Sequence, residues 1–207
     1  MEKTDVRDIL TFLRRSKELQ KAERYSSSLA GMQNTVAEHS WRLALMALVV
    51  GSACKVKLDL GHALGVALVH DLAEAKTGDI DAYTQIREGK GLVREKAASE
   101  EAAMQEITGD LSFGPWMLGL WEEYEKQETL EAKFVKALDK IEGFLHIAEG
   151  EVEMYVPKEF HADYANQAVA AFDEATNHFP GLKELLDAVK EDLRRQFELA
   201  GVAWVEG

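Results

Sequence analysis

The sequence predicts an all-α fold, and three observations carry that prediction. The long stretches between its few prolines, Pro115, Pro157 and Pro180, are rich in Ala, Leu, Glu and Lys, the residues that lose least on entering a helix. No apolar–polar alternation survives over five or more residues, so the pattern of a half-buried strand is missing. Apolar residues instead recur at helical spacing or fill nearly continuous runs. With 46% hydrophobic and 29% charged residues over 207 positions, the chain has material for a core and none of the composition of a disordered one.

Residues 36–54 come first, through Leu43, Leu45, Met46, Leu48, Val49 and Val50; so dense a run predicts a helix buried on most sides. A second apolar helix is expected over 60–75, through Leu64, Val66, Leu68 and Val69. Residues 78–91 carry Gly-Asp and Gly-Lys-Gly in mixed polarity and read as mostly loop. An acidic amphipathic helix follows over 92–107, its run from Glu95 to Glu106 expected as a solvated face. Gly109-Asp110 and Gly114-Pro115 break the chain before helices over 116–126 and 129–150. The last pair, 158–178 and 182–200, is parted by Pro180-Gly181. No repeat, low-complexity tract or linker divides the chain, so residues 1–207 read as one domain.

Charge and composition exclude several classes. Lys and Arg number 24 against 37 Asp and Glu, a net charge of −13, which repels a polyphosphate backbone and argues against a long nucleic-acid partner. A small anion would need a locally concentrated positive centre. No apolar run approaches the roughly 20 residues that span a bilayer, and the start, Met1-Glu2-Lys3-Thr4-Asp5, lacks an apolar signal core. A single cysteine, Cys54, permits no intrachain disulfide and fits a reducing compartment, so a cytoplasmic protein is expected.

The informative pair is His70-Asp71, at the close of the run Leu64-Gly65-Val66-Ala67-Leu68-Val69. Unpaired charge buried there costs several kcal/mol, so something must compensate. One solution is a helix cap with an arginine partner for Asp71. Another is a divalent metal, for which imidazole nitrogen and carboxylate oxygen are suitable ligands. His39 in Val36-Ala37-Glu38-His39-Ser40-Trp41-Arg42 and Asp139 in Phe134-Val135-Lys136-Ala137-Leu138-Asp139-Lys140-Ile141 are ligand-type side chains at otherwise apolar positions of two further helices. Converging, His39, His70, Asp71 and Asp139 would leave up to two octahedral positions open for water and substrate. There is no glycine-rich phosphate loop, because Gly89-Lys90-Gly91 lacks the spacing, and no serine nucleophile elbow.

The ordered set His39, His70-Asp71, Asp139 resembles the HD-domain metal-dependent phosphohydrolases. The words Val36 to Arg42, Leu68-Val69-His70-Asp71-Leu72-Ala73-Glu74-Ala75, Thr77-Gly78-Asp79-Ile80, Trp121-Glu122-Glu123-Tyr124-Glu125 and Glu131 to Lys140 are similar to the 5′-deoxynucleotidase branch of that family, over about residues 5–150. The resemblance implies a helical bundle with the metal between helices, the C-terminal helices from about 158 to 200 carrying no motif. It implies His39, His70, Asp71 and Asp139 as ligands of one divalent ion: Co, Mn, Mg, Fe, Ni or Zn. It further implies Glu74 as the acid that orients water and moves its proton, assisted by Asp79. Arg24, 15 positions before His39, takes the place of the family's phosphate- and sugar-contacting arginine. Tyr25 stands where the family often has tryptophan, and a tyrosine can stack beneath a base or ribose.

The activity so implied is removal of the 5′-phosphate from deoxyribonucleoside monophosphates by a homodimer, as relatives commonly are. Two alternatives stay open: an HD-type nucleotide or nucleoside triphosphate hydrolase, whose pocket should gather several Lys and Arg, and a non-catalytic metal-binding helical scaffold. Structural zinc sites are normally rich in cysteine, and this cluster has none.

Overall fold

The computed structural model describes residues 3–24, 34–80, 84–85, 88–150, 156 and 161–205. Among these residues the regular elements are helical: α1 Lys3–Ser16, α2 Val36–Ala53, α3 Leu60–Val69, α4 Glu74–Thr77, α5 Lys90–Thr108, α6 Gly114–Lys126, α7 Leu130–Ala148, α8 His161–His178 and α9 Lys183–Leu199, with 3-10 turns at Lys17–Lys21 and Pro180–Leu182. An isolated antiparallel bridge joins Glu23 to Thr35. No helix among the described residues is long and apolar enough to cross a membrane. The chain divides into two compact units, Met1–Trp41 with Gly65–Lys126, and Arg42–Leu64 with Gln127–Gly207.

In the first unit the core is built by Val66, Ala67, Val69 and Leu72 with Met104, Ile107, Leu120 and Trp121, all buried. α3 and α6 lie close at Gly65, where a Cβ would meet Leu120 at 3.5 Å, an ordinary van der Waals contact. α1 is tied to α5 by Arg15, whose guanidinium donates to Ile107 O at 2.9 Å, and to the connection after α5 by the same guanidinium donating to the Asp110 carboxylate and by Phe12 set edge-on to Phe113. α1 was not foreseen from the sequence, although Val6, Ile9, Leu10 and Leu13 recur at helical spacing; these four are exposed.

In the second unit α7 opens on an N-cap, the Thr129 hydroxyl accepting from Ala132 N at 3.1 Å. Its buried stripe, Phe134, Val135, Leu138 and Ile141, belongs to the same core as Phe172 of α8 and Leu186, Val189, Leu193 and Phe197 of α9. Phe144 meets Tyr164 and Phe172 edge-on, and Tyr164 stacks on Phe197.

The second expected helix is shorter than its sequence pattern. It ends at Val69, the chain tightens through i to i−3 bonds (Leu72 N to Val69 O and Glu74 N to Asp71 O, both 3.0 Å), and only then does α4 form. Gly78, at φ 72°, closes α4 in the left-handed region that glycine enters without strain.

Candidate metal centre

His39 owes its place to the start of α2. Thr35-Val36-Ala37-Glu38 is a capping box: Glu38 N donates to the Thr35 hydroxyl at 3.2 Å, and Thr35 N donates back to the Glu38 carboxylate at 2.8 Å. His39 N then closes the first helical turn onto Thr35 O at 3.0 Å. The imidazole that follows is buried, 1% exposed.

His70 stands at the other helix end. Its backbone N–H still reaches Val66 O, while its Nδ1 is 2.9 Å from Ala67 O. A carbonyl only accepts, so Nδ1 carries a proton, and in the neutral ring the lone pair is left on Nε2. That lone pair faces His39 Nε2 at 3.3 Å and Asp71 Oδ2 at 2.9 Å, and the third edge of the triangle, His39 Nε2 to Asp71 Oδ2, is 3.7 Å. The turn after α3 makes this possible, because it folds Asp71 back beside the ring that precedes it. Tyr124 of α6 closes one side, edge-to-face with His70 at 4.9 Å.

The donor set fits a divalent cation. Ligand atoms about 2.1 Å from an ion and at right angles lie about 3 Å apart, close to the spacing of these three. Two ring nitrogens and one carboxylate oxygen are the donors that first-row metals accept, and a metal-binding imidazole normally donates its other N–H to a carbonyl, as His70 does to Ala67.

Glu74, at the start of α4, is buried at 4% exposure. Burial, with Asp71, Asp79 and Glu100 nearby, pushes its carboxyl up to about 10, and Lys96 of α5 pulls the other way. The Lys96 ammonium is 3.3 Å from Glu74 Oε1 and 2.6 Å from Glu100 Oε1. Burial would lower Lys96, but Glu74 and Glu100 outweigh it and hold the ammonium above its ordinary range. The corner is therefore short of positive charge, which is the environment a bound cation would relieve.

The structure thus brings His39, His70 and Asp71 together, with Glu74 in the same unit and Asp79 close enough to act on it electrostatically. Arg24 is half-buried, its N–H donating to Asn34 O at 2.9 Å beside the cap of α2. Tyr25 lies outside the described residues. Asp139 sits on α7 in the second unit, partly buried, its Oδ2 3.4 Å from Lys136 Nζ.

One expectation is corrected. The acidic run 95–106 is not wholly a solvated face, since Glu100 is buried beside Ala103, Met104 and Ile107. Lys96 and Glu100 went unnoticed as site residues, although with Ala103 and Ile107 they fall at i, i+4, i+7 and i+11, on the line of the buried stripe.

Comparison with known proteins agrees with this geometry. The HD domain family model matches residues 16–178. The chain is 37% identical over 149 residues to the 5′-deoxynucleotidase HDDC2 of Homo sapiens, covering 70% of this chain and 69% of that one. It is 34% identical to the Xenopus laevis 5′-deoxynucleotidase HDDC2 over 76% of this chain and 73% of that one. Among solved structures, the predicted metal-dependent phosphohydrolase of Magnetospirillum magnetotacticum MS-1 shares the fold, with TM-score 0.75 at 23% identity, covering 93% of this chain and 94% of that one.

Proposed function

The chain belongs to the HD domain family, and on that premise we propose that it is a metal-dependent 5′-deoxynucleotidase. The observation that carries the reading is the triangle of buried His39 and His70 with half-buried Asp71, in a chain whose relatives bear that activity as their name. The reading treats residues 1–207 as one HD domain and keeps Asp139 as the fourth ligand on the strength of the sequence motif. A divalent ion held there supplies Lewis acidity, lowering the pKa of water and polarising a phosphoryl oxygen.

The remaining work falls to the chain's own side chains. Ala67 O and the capping box hold the two imidazoles in place, so the donor set is organised before substrate arrives. Glu74 takes the proton from the water whose oxygen attacks phosphorus; the bond from phosphorus to the 5′ oxygen breaks, and that oxygen leaves as the alcohol once protonated. Asp79 supports Glu74 near the sugar. Arg24 offers its planar donor fork to the phosphate, and Tyr25 a ring to the base or ribose.

We further infer a homodimer, supported by the exposed Val6, Ile9, Leu10 and Leu13 on one face of α1. A cytoplasmic location fits the single cysteine.

The test is phosphate release from dAMP, dGMP, dCMP and TMP against the matching ribonucleotides, before and after chelation and with each divalent ion restored. Deoxynucleotides should be preferred and the chelated protein inactive, and Asp139→Ala should lose both metal and turnover. Tripolyphosphate from dATP would instead identify a triphosphohydrolase. Retained metal with no phosphate released from any nucleotide would identify a scaffold.

A further inference from the structure

The ion pair that joins α4 to α5 is unusual in its burial. The side chains of Glu74, Lys96 and Glu100 are 5%, 18% and 9% exposed, so three ionisable groups are removed from most of the solvent together. An exposed Lys–Glu pair one turn apart contributes only about 0.3–0.5 kcal/mol and needs no burial. A buried ion pair, moreover, is often replaced by apolar residues without loss of stability, so stability alone is a poor account of it. What the triad does supply is a fixed direction. Lysine is a point charge on a flexible four-carbon stem and orients nothing unless it is itself held. Here Glu100, one turn along the same helix, holds Nζ at 2.6 Å, and the held Nζ reaches Glu74 Oε1 at 3.3 Å. Glu74 stands at the first residue of a four-residue helix, after Ala73, whose side chain offers no cap. The restraint on its carboxylate that the structure supplies comes from Lys96.

We propose that Lys96 and Glu100 are positioning residues: Glu100 anchors the Lys96 ammonium, and Lys96 holds the Glu74 carboxylate in the orientation from which it accepts the proton of the attacking water. The inference rests on the reading of Glu74 as that acceptor. Lys96 acts through Glu74 and leaves the substrate to other residues.

The experiment is a double-mutant cycle with a structural arm. Lys96→Met should lower kcat by about 10- to 100-fold, the scale set by a misplaced catalytic group, with KM and metal content close to wild type. Lys96→Arg, which keeps the charge, should recover to within about fivefold of wild type, and Glu100→Gln should fall between the two. In a Glu74→Gln background, Lys96→Met should cost little more. An equal loss in both backgrounds, a loss carried by KM, or loss of the metal would overturn the proposal. In crystals, the Glu74 carboxylate should be displaced in Lys96→Met and in place in Lys96→Arg; Glu74 unmoved in Lys96→Met overturns it as well. If wild-type protein releases phosphate from no nucleotide, the functional reading fails by itself. The crystal comparison then decides the positioning role alone.

Discussion

Glu74 and Glu142 are both buried, and each lies by a cation that it shares with a second acid. Glu74 meets Lys96, which also holds Glu100. Glu142, on α7, is fully buried with Arg42 Nη1 at 3.8 Å, while Arg42 Nη2 donates to the exposed Glu149 at 2.6 Å. The two arrangements share one electrostatic problem and differ in their neighbours. Beside Glu74 stand Asp71 and Asp79, which raise its pKa, and Asp71 is a corner of the donor triangle. Beside Glu142 stand Ile141, Leu138 and the rest of the buried stripe of α7. On the proposed function, the same device serves chemistry in one unit and packing in the other. What tells them apart is whether the acid adjoins donors that need a cation.

Three substitutions or titrations press on that distinction. The largest effect is expected from Glu74→Ala, which should keep the metal and lose about 10²–10⁴ in kcat, the usual share of a general base; steady-state kinetics with metal analysis checks it, and normal turnover would place Glu74 with the packing acids. Next is Arg42→Ala, which removes the guanidinium beside buried Glu142. It should cost about 1–3 kcal/mol, as read from urea unfolding, with kcat within about threefold of wild type. A large kcat loss without a stability loss would erase the contrast.

The smallest effect concerns pH in protein stripped of metal. The folded Glu74 carboxyl is raised above the ordinary 4.5 to about 10, so folding takes up a proton between those values. Its contribution to stability is therefore complete below the unfolded value and is lost as pH rises towards the folded one. The urea midpoint should fall from about pH 6 to about pH 9, and Glu74→Gln should flatten the slope. A slope unchanged in Glu74→Gln would assign it to other groups.

Much of the fold was legible because helix-forming composition and apolar spacing are local properties. α2, α6 and α9 begin and end within two residues of their expected bounds. The misses have physical causes. α1 carries Val6, Ile9, Leu10 and Leu13 on one exposed face, among charges that mask the pattern. α3 stops at Val69 because its last turn is given over to i to i−3 bonds, for which Leu72 to Ala75 hold no glycine or proline signal. In the site, His39, His70 and Asp71 were legible from their motif. Lys96 and Glu100 were not, since a lysine in an acid-rich run looks solvated until α4 is brought against α5 across 22 residues of chain.

The bond from His70 to Ala67 O carries a consequence for how the site comes undone. The carbonyl that fixes the ring's tautomer belongs to the final coil of the helix presenting the ring. Fraying of that coil would free the ring to swap its proton between nitrogens and blunt its grip on an ion. A captured ion, for its part, would hold the coil wound. Loading and local order at this helix end are therefore two faces of one equilibrium, so agents that loosen the coil should release the ion well before the molecule as a whole unfolds.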